Sequence, residues 1–216
     1  GLLAWPLAKL VGIQPKTLVP PMLFNNSGNI GLPLAVLAWG DSALPAAVIL
    51  FMVENTLHCS FGARLLDPTT RLLTLWRIPV VFAAIAGLAV ALLKISIWTP
   101  LVIAIKMLGD VSVPLLLFSL GVRMTDVSFS EWKVAVGSAL LRPLAGMLIA
   151  AGVIQLLGLQ GRDAAMLFVF GALPPAVLNF LFAERYKQEP QRVASIVLIG
   201  NLAALVFLPL ALAYVL

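Results

Sequence analysis

One cysteine and one histidine serve all 216 residues. A lone Cys59 closes no intrachain disulfide and builds no cysteine-based zinc cage. Together with a lone His58 it leaves too few ligands for metal chemistry, and no cofactor motif is present. Charge is scarce as well: Asp, Glu, Lys and Arg make up 11% of the residues, where a soluble domain carries about 25%. Acids inside the apolar runs are rarer still. An intramembrane aspartyl protease needs paired aspartates within spans, and only Asp110 qualifies. A Ser/His nucleophile at His58 finds only Ser60 nearby. A membrane-embedded enzyme is therefore the weakest of the readings weighed here.

What fills the chain instead is apolar. Hydrophobic residues reach 62% and the mean hydropathy is +1.07, which defines an all-α integral membrane protein. A span needs about 20 apolar residues to cross a hydrocarbon core roughly 30 Å thick. Charged and turn residues punctuate seven predicted spans, at 18–38, 43–64, 78–97, 99–122, 132–157, 163–183 and 192–215, and residues 1–12 read as the tail of another. The net charge of +5 is topological and no nucleic-acid surface. Ten of the 14 Lys and Arg lie in alternate connections (Lys9, Lys16, Arg64, Arg71, Arg77, Arg123, Lys133, Arg185, Lys187 and Arg192), and only Lys94 and Arg162 lie in the opposite ones. This positive-inside bias predicts cytoplasmic loops at 65–77 and 184–191 and a C-terminus outside. Trp39, Trp76, Trp98 and Trp132 fall near predicted span ends, as an interfacial belt requires.

Two spans are interrupted. The stretch 24-FNNSGNIGLPLAVLAWG-40 places Asn25, Asn26, Ser27, Gly28, Asn29 and Pro33 where a continuous helix would cross. Residues 31-GLPLAVL-37 and 172-ALPPAVL-178 match at five of seven positions, pairing Pro33 with Pro174. The second copy lies in the fifth span after the first, so the two cross in opposite directions. Matched Gly/Pro-interrupted segments of opposite orientation are the sequence mark of an inverted-repeat transporter. Half-helices starting near Pro33 and Pro174 would aim their positive N-terminal poles at the membrane centre. Asn25, Asn26, Ser27 and Asn29 would add side-chain donors at one break, and Asn179 at the other beside Pro174 and Pro175. The competing reading is that Asn and Ser act only as interhelical glue.

These same residues resemble the auxin efflux carrier family of membrane transport proteins. NNSGNIGLPL is similar to the family's Asn-x-Gly-x-x-Gly-x-Pro segment. 109-GDVSVPLLLFSLGVRM-124 and 141-LRPLAG-146 look like consecutive family spans, and 172-ALPPAVLNFLFAERYKQEP-190 like its second crossover. The resemblance implies ten spans in two inverted five-helix repeats, with crossover helices at spans four and nine, similar to the sodium/bile-acid symporter fold. On that template the chain is N-terminally truncated and holds about seven or eight of the ten spans. Residues 1–65 would finish the first repeat, 66–77 would form a short cytoplasmic linker of the compact bacterial type, and 78–216 would form the second repeat. The implied cargo is a small organic anion, a dicarboxylate such as malate or an aromatic carboxylate. The implied setting is the cell (inner) membrane, with the lipid bilayer and a second copy in a homodimer as partners.

Ionisable residues inside spans are functional candidates by default. Lys106 and Asp110 stand at i,i+4 and can pair, either as a structural salt bridge or as a proton-coupled pair. Arg142 either draws anions inward or pairs structurally. Glu54 lies mid-span one turn before His58 and is the leading proton carrier, while His58 reads more simply as a hydrogen-bonded core residue and Asn201 as an interhelical bond. A cation exchanger of the same fold is the alternative; it would want carboxylates at the breaks, where the sequence places only Asn and Ser.

Overall fold

The computed structural model describes residues 4–10, 12–70, 79–124 and 132–216. Helices α1 (Ala4–Leu10) and α2 (Pro15–Leu23) lead into the first interruption, followed by a π-helical turn, Ser27–Gly31, that continues into α3 (Leu32–Trp39). A short 3-10 turn starts α4 (Leu44–Leu57), which runs through a second π turn, His58–Gly62, into α5 (Ala63–Leu66). Then come α6 (Pro79–Leu92), α7 (Thr99–Met124) and α8 (Trp132–Leu157). The second interruption separates α9 (Gly161–Ala172) from α10 (Leu178–Arg185), and α11 (Pro190–Val215) closes the chain.

Three helical stretches, Asp41–Leu66, Trp132–Leu157 and Pro190–Val215, are each 26 residues long and apolar enough to cross a membrane. At 1.5 Å per residue each extends about 39 Å, more than the hydrocarbon core needs. All seven predicted spans correspond to helical segments, and the two predicted interruptions are real. α6 stops at Leu92, before the predicted end at 97, because the chain turns at Lys94, which has φ 51°. Of the predicted linker at 66–77, the turn Asp67–Thr70 is described, while Arg71, Trp76 and Arg77 lie outside the described residues. Trp39 ends α3, Trp98 precedes α7 and Trp132 opens α8.

The packed centre comprises α3, α4, α8, α9 and α11. Its buried residues are mostly small: Ala35, Ala43, Ala47, Ala172, Ala204 and Ala211 surround Met166, Val169, Phe170, Leu173 and Leu208. In a bilayer, lipid is as apolar as the side chains, so helices associate through close van der Waals contact that small residues permit. The closest approach is between α8 and α9. A Cβ added at Gly146 would run into the Gly171 carbonyl, and one at Gly171 would stand 2.6 Å from the Gly146 oxygen. Away from this centre, the described side chains of α7 are exposed. Near the opposite end, Thr17 of α2 donates to Glu189 at 2.5 Å and Arg192 pairs with Glu189 at 2.7 Å, tying α2 to the start of α11.

Replacing Gly146 with Val therefore forces α8 from α9, and overpacking of this kind costs about 1–3 kcal/mol. Thermal unfolding in detergent should show a clear drop in Tm. Gly152→Ala, which meets nothing within 4 Å, should leave it unchanged.

Candidate functional site

The two interruptions meet. After Pro20 and Pro21, α2 ends and Phe24 is extended. Asn26 donates its backbone N–H to the Pro174 carbonyl at 2.8 Å, and Ala176 donates to the Phe24 carbonyl at 3.0 Å. Asn25 and Pro175 thereby face each other in an isolated antiparallel bridge. Neither Pro174 nor Pro175 can donate a backbone hydrogen bond, and in this register neither needs to. Interrupted backbone at membrane depth must be satisfied by protein, and here each break satisfies the other.

Side chains complete the crossing reciprocally. Asn25 donates from Nδ2 to the Phe170 carbonyl in the last turn of α9 at 3.1 Å. Asn179 donates from Nδ2 to the Phe24 carbonyl beyond α2 at 3.2 Å and to Ala176 at 3.0 Å. Each break thus caps the helix that leads into the other. Asn26 donates to Asn201 Oδ1 at 3.1 Å, and Asn201 donates to the carbonyls of Pro175 at 3.1 Å and Val197 at 2.7 Å. The buried Arg142 donates to the Leu173 carbonyl and, at 3.4 Å, to that of Gly171. A cation here neutralises the carbonyl end of α9. Two glycines let the parts close: a Cβ on Gly31 would press on Leu173 and Phe170, and one on Gly200 would stand 2.6 Å from Pro175 Cδ.

An acid joins this cluster. Ser27 donates to Glu54 Oε2 at 2.9 Å, and Glu54 Oε1 lies 3.9 Å from His58 Nδ1. Arg142 is the buried cation at the same crossing, held on the Leu173 carbonyl. His58 is 1% exposed, stacked on Phe24 with ring centroids 4.1 Å apart and edge-on to Phe182 at 5.0 Å. The π turn His58–Gly62 begins at this histidine, and the π turn Ser27–Gly31 at the serine that holds Glu54; π turns concentrate at functional positions.

The structure brings together Asn25, Asn26, Ser27, Pro174, Pro175 and Asn179 from the sequence-derived set, with Gly28 packed against Phe51. Asn29 is half-buried, and its side chain makes no hydrogen bond among the described residues. Four expectations need correction. The second half-helix starts at Leu178, not near Pro174, because both prolines belong to the extended crossing. Pro33 lies in the first turn of α3, so the geometric register, Asn25 with Pro175, differs from the sequence match of Pro33 with Pro174. The amide donors of Asn25 and Asn179 are spent on carbonyls, and the buried atoms left without partners at the junction include three acceptors, Asn25 Oδ1, Asn179 Oδ1 and Glu54 Oε1, alongside His58 Nε2 and the donor Arg142 Nε. Finally, the first break does hold an acid, Glu54, delivered from α4. Lys106 and Asp110 pair at 2.8 Å with 74% and 64% of their side chains exposed, on α7. Arg142, His58 and Asn201 were visible in the sequence as polar residues within spans; their convergence was not.

Three apolar helical stretches of membrane-crossing length, with two interrupted helices that meet in a buried polar junction, define a multi-pass α-helical membrane protein. The chain belongs to the family described as Membrane transport protein, whose model matches residues 68–212; it is a transport-family member and not an enzyme. It is 27% identical over 178 residues to auxin efflux carrier component 6 of Arabidopsis thaliana, covering 79% of this chain and 29% of that protein. In Oryza sativa subsp. japonica, it is 29% identical over 154 residues to probable auxin efflux carrier component 3b (66% and 26% covered) and 30% over 145 residues to component 3a (64% and 23% covered). The matches thus span less than a third of those relatives' length.

Asn201→Ala removes two donated bonds and strips Asn26 Nδ2 of its acceptor. Leaving a buried donor unsatisfied costs about 1–3 kcal/mol, so Tm should fall well below that of the parent. Asn29→Ala should shift Tm little.

Proposed function

We propose that this chain forms part of a secondary transporter that moves small organic anions by alternating access, the cargo held where the two interrupted helices cross. On this reading the interrupted helices are crossover helices of inverted repeats, with residues 1–65 in the first, 66–77 as linker and 78–216 in the second. The observation that carries the reading is the mutual backbone pairing of Phe24–Asn26 with Pro174–Ala176. It fixes two half-helix N-termini, at Ser27 and Leu178, beside the buried Arg142. First-turn N–H groups have no carbonyl ahead of them in their own helix, so together with a guanidinium they favour negative charge. The carbonyl poles of α2 and α9, which would repel an anion, are already covered by Asn179, Asn25 and Arg142. Asn25, Asn26, Ser27, Gly28, Asn29, Pro33, Pro174, Pro175 and Asn179 are the proposed substrate-contacting set.

The relatives named as auxin efflux carriers support a carboxylate cargo and outward movement. A membrane potential contributes about 2.3 kcal/mol per charge per 100 mV, which drives an anion out of a negative interior. The positive-inside bias supports a C-terminus outside and cytoplasmic loops at 65–77 and 184–191, in a cell membrane, with a homodimer as the assembly the family resemblance suggests. Of the coupling candidates, Glu54 touches the crossing, while Lys106 and Asp110 neutralise each other on the exposed part of α7. The cation-exchanger reading gains one specific support: the open buried atoms at the crossing include three acceptors. Arg142 weighs against it, because a fixed buried cation repels a second one.

The test is charge movement on a solid-supported membrane with the full-length protein in proteoliposomes. Malate, malonate and indole-3-acetate are applied in turn, beside Asn25→Ala and Asn179→Ala. We expect at least one carboxylate to evoke a current that both variants reduce at least tenfold. Currents evoked only by sodium or protons would transfer the assignment to the cation exchanger.

A further inference from the structure

The crossing leaves one arrangement that anion binding does not use. Asn179 spends both donor interactions on the carbonyls of Phe24 and Ala176, so the atom it can offer His58 is the acceptor Oδ1. His58 Nε2 and Asn179 Oδ1 are both buried, and neither makes a hydrogen bond among the described residues. A neutral imidazole carries one N–H and one lone pair, so with the hydrogen on Nε2 the lone pair of Nδ1 faces Glu54. Glu54 Oε1 stands 3.9 Å from it, itself buried and without a hydrogen bond. Two acceptors then face each other at a distance too long for a hydrogen bond, with the imidazole held between Phe24 and Phe182. One added proton turns this opposition into an O–H···N hydrogen bond, with a small rotation of either side chain.

We propose that Glu54 Oε1 and His58 Nδ1 form a single-proton slot between the two interrupted helices, so that one proton travels with each transported anion. This rests on the transporter reading above for its cargo, though the slot itself does not. The proton arrives from water and bonds to Glu54 Oε1; His58 Nδ1 accepts the hydrogen bond; release to the opposite side breaks the same O–H bond. Every element packed on the pair takes part. Ser27 of the first break holds Oε2, Phe24 and Phe182 hold the imidazole, Arg142 of α8 supplies the balancing charge, and Cys59 is the next titratable group along the chain. Charge balance gives the coupling its sign. With the slot empty, Glu54 and Arg142 cancel. An anion beside Arg142 adds a net negative charge to a buried site, which low-dielectric surroundings penalise heavily, and the slot's proton restores neutrality. Anion binding therefore takes up a proton.

Two measurements on the full-length protein decide it. Infrared difference spectra between acid and alkaline pH, in nanodiscs without any carboxylate, should show a protonated-carboxyl band. It should vanish in Glu54→Gln, shift in His58→Gln and persist in Asp110→Asn. Absence of the band, or its survival in Glu54→Gln, overturns the slot whatever the cargo. A pH-indicator assay during addition of malate, malonate and indole-3-acetate should then register uptake of close to one proton per bound anion, lost in Glu54→Gln. Carboxylate currents without proton uptake would leave the transporter reading standing and defeat the coupling. A Glu54-dependent band with no carboxylate response would keep the slot and defeat the anion cargo. Circular dichroism and a Tm near that of the parent identify variants that fold.

Discussion

Everything in this molecule depends on one rule of the bilayer: backbone N–H and C=O groups that leave a helix at membrane depth have no water to bind. Two helices break this rule at the same place. Phe24–Asn26 and Leu173–Val177 both leave the helical path, and each supplies the partners the other lacks. The carboxamides of Asn25 and Asn179 extend the exchange to the carbonyls of the helices that lead in. Asn201 and Arg142, on the long unbroken helices α11 and α8, supply what the breaks cannot. The junction is thus held by helices that do not break, and close glycine contacts between α8 and α9 set how near they come.

The electrostatic character of the junction follows from this arrangement. Four helix ends converge there. The two carbonyl ends are covered by donors, including one full positive charge, while at the start of α10 Asn179 and Phe180 donate their N–H groups back to Ala176 and Val177. Into that setting α4 delivers one carboxylate and, at its end, one imidazole held between the rings of Phe24 and Phe182. A site with a fixed cation and one titratable acid can change its net charge by a single unit, and a transporter can link that change to which side of the membrane it faces.

Much of this was legible in the sequence. The run Asn25–Asn29 contradicts its apolar surroundings strongly enough to announce a break, and Pro174-Pro175 announces the other. The limits of α8 coincide with the predicted span because Trp132 and Gly158 bracket an uninterrupted apolar run. The register of the crossing was not legible. Leu-Pro-x-Ala-Val-Leu recurs in both copies, and the match aligned Pro33 with Pro174; the pairing itself is made by backbone groups of Phe24, Asn26, Pro174 and Ala176, whose side chains share no pattern. The direction of each carboxamide was equally hidden. Four polar residues among five read as donors for a ligand, but the nearest unpaired groups in a broken membrane helix are its own carbonyls, and those took the donors first. Glu54 joined the cluster because spacing along α4 shows which residues share a face and not which break that face meets.

The most direct test of the account is a covalent one. Asn25 and Pro175 form a bridge flanked by both backbone bonds, a pair whose Cα atoms lie about 4.5 Å apart, within the span a disulfide tolerates. In a Cys59→Ala background of the full-length protein, Asn25→Cys with Pro175→Cys should close a disulfide within one chain under mild oxidation in native membranes. Pro33→Cys with Pro174→Cys should not. Failure of the first pair, or closure of the second instead, would contradict the crossing on which every other statement depends.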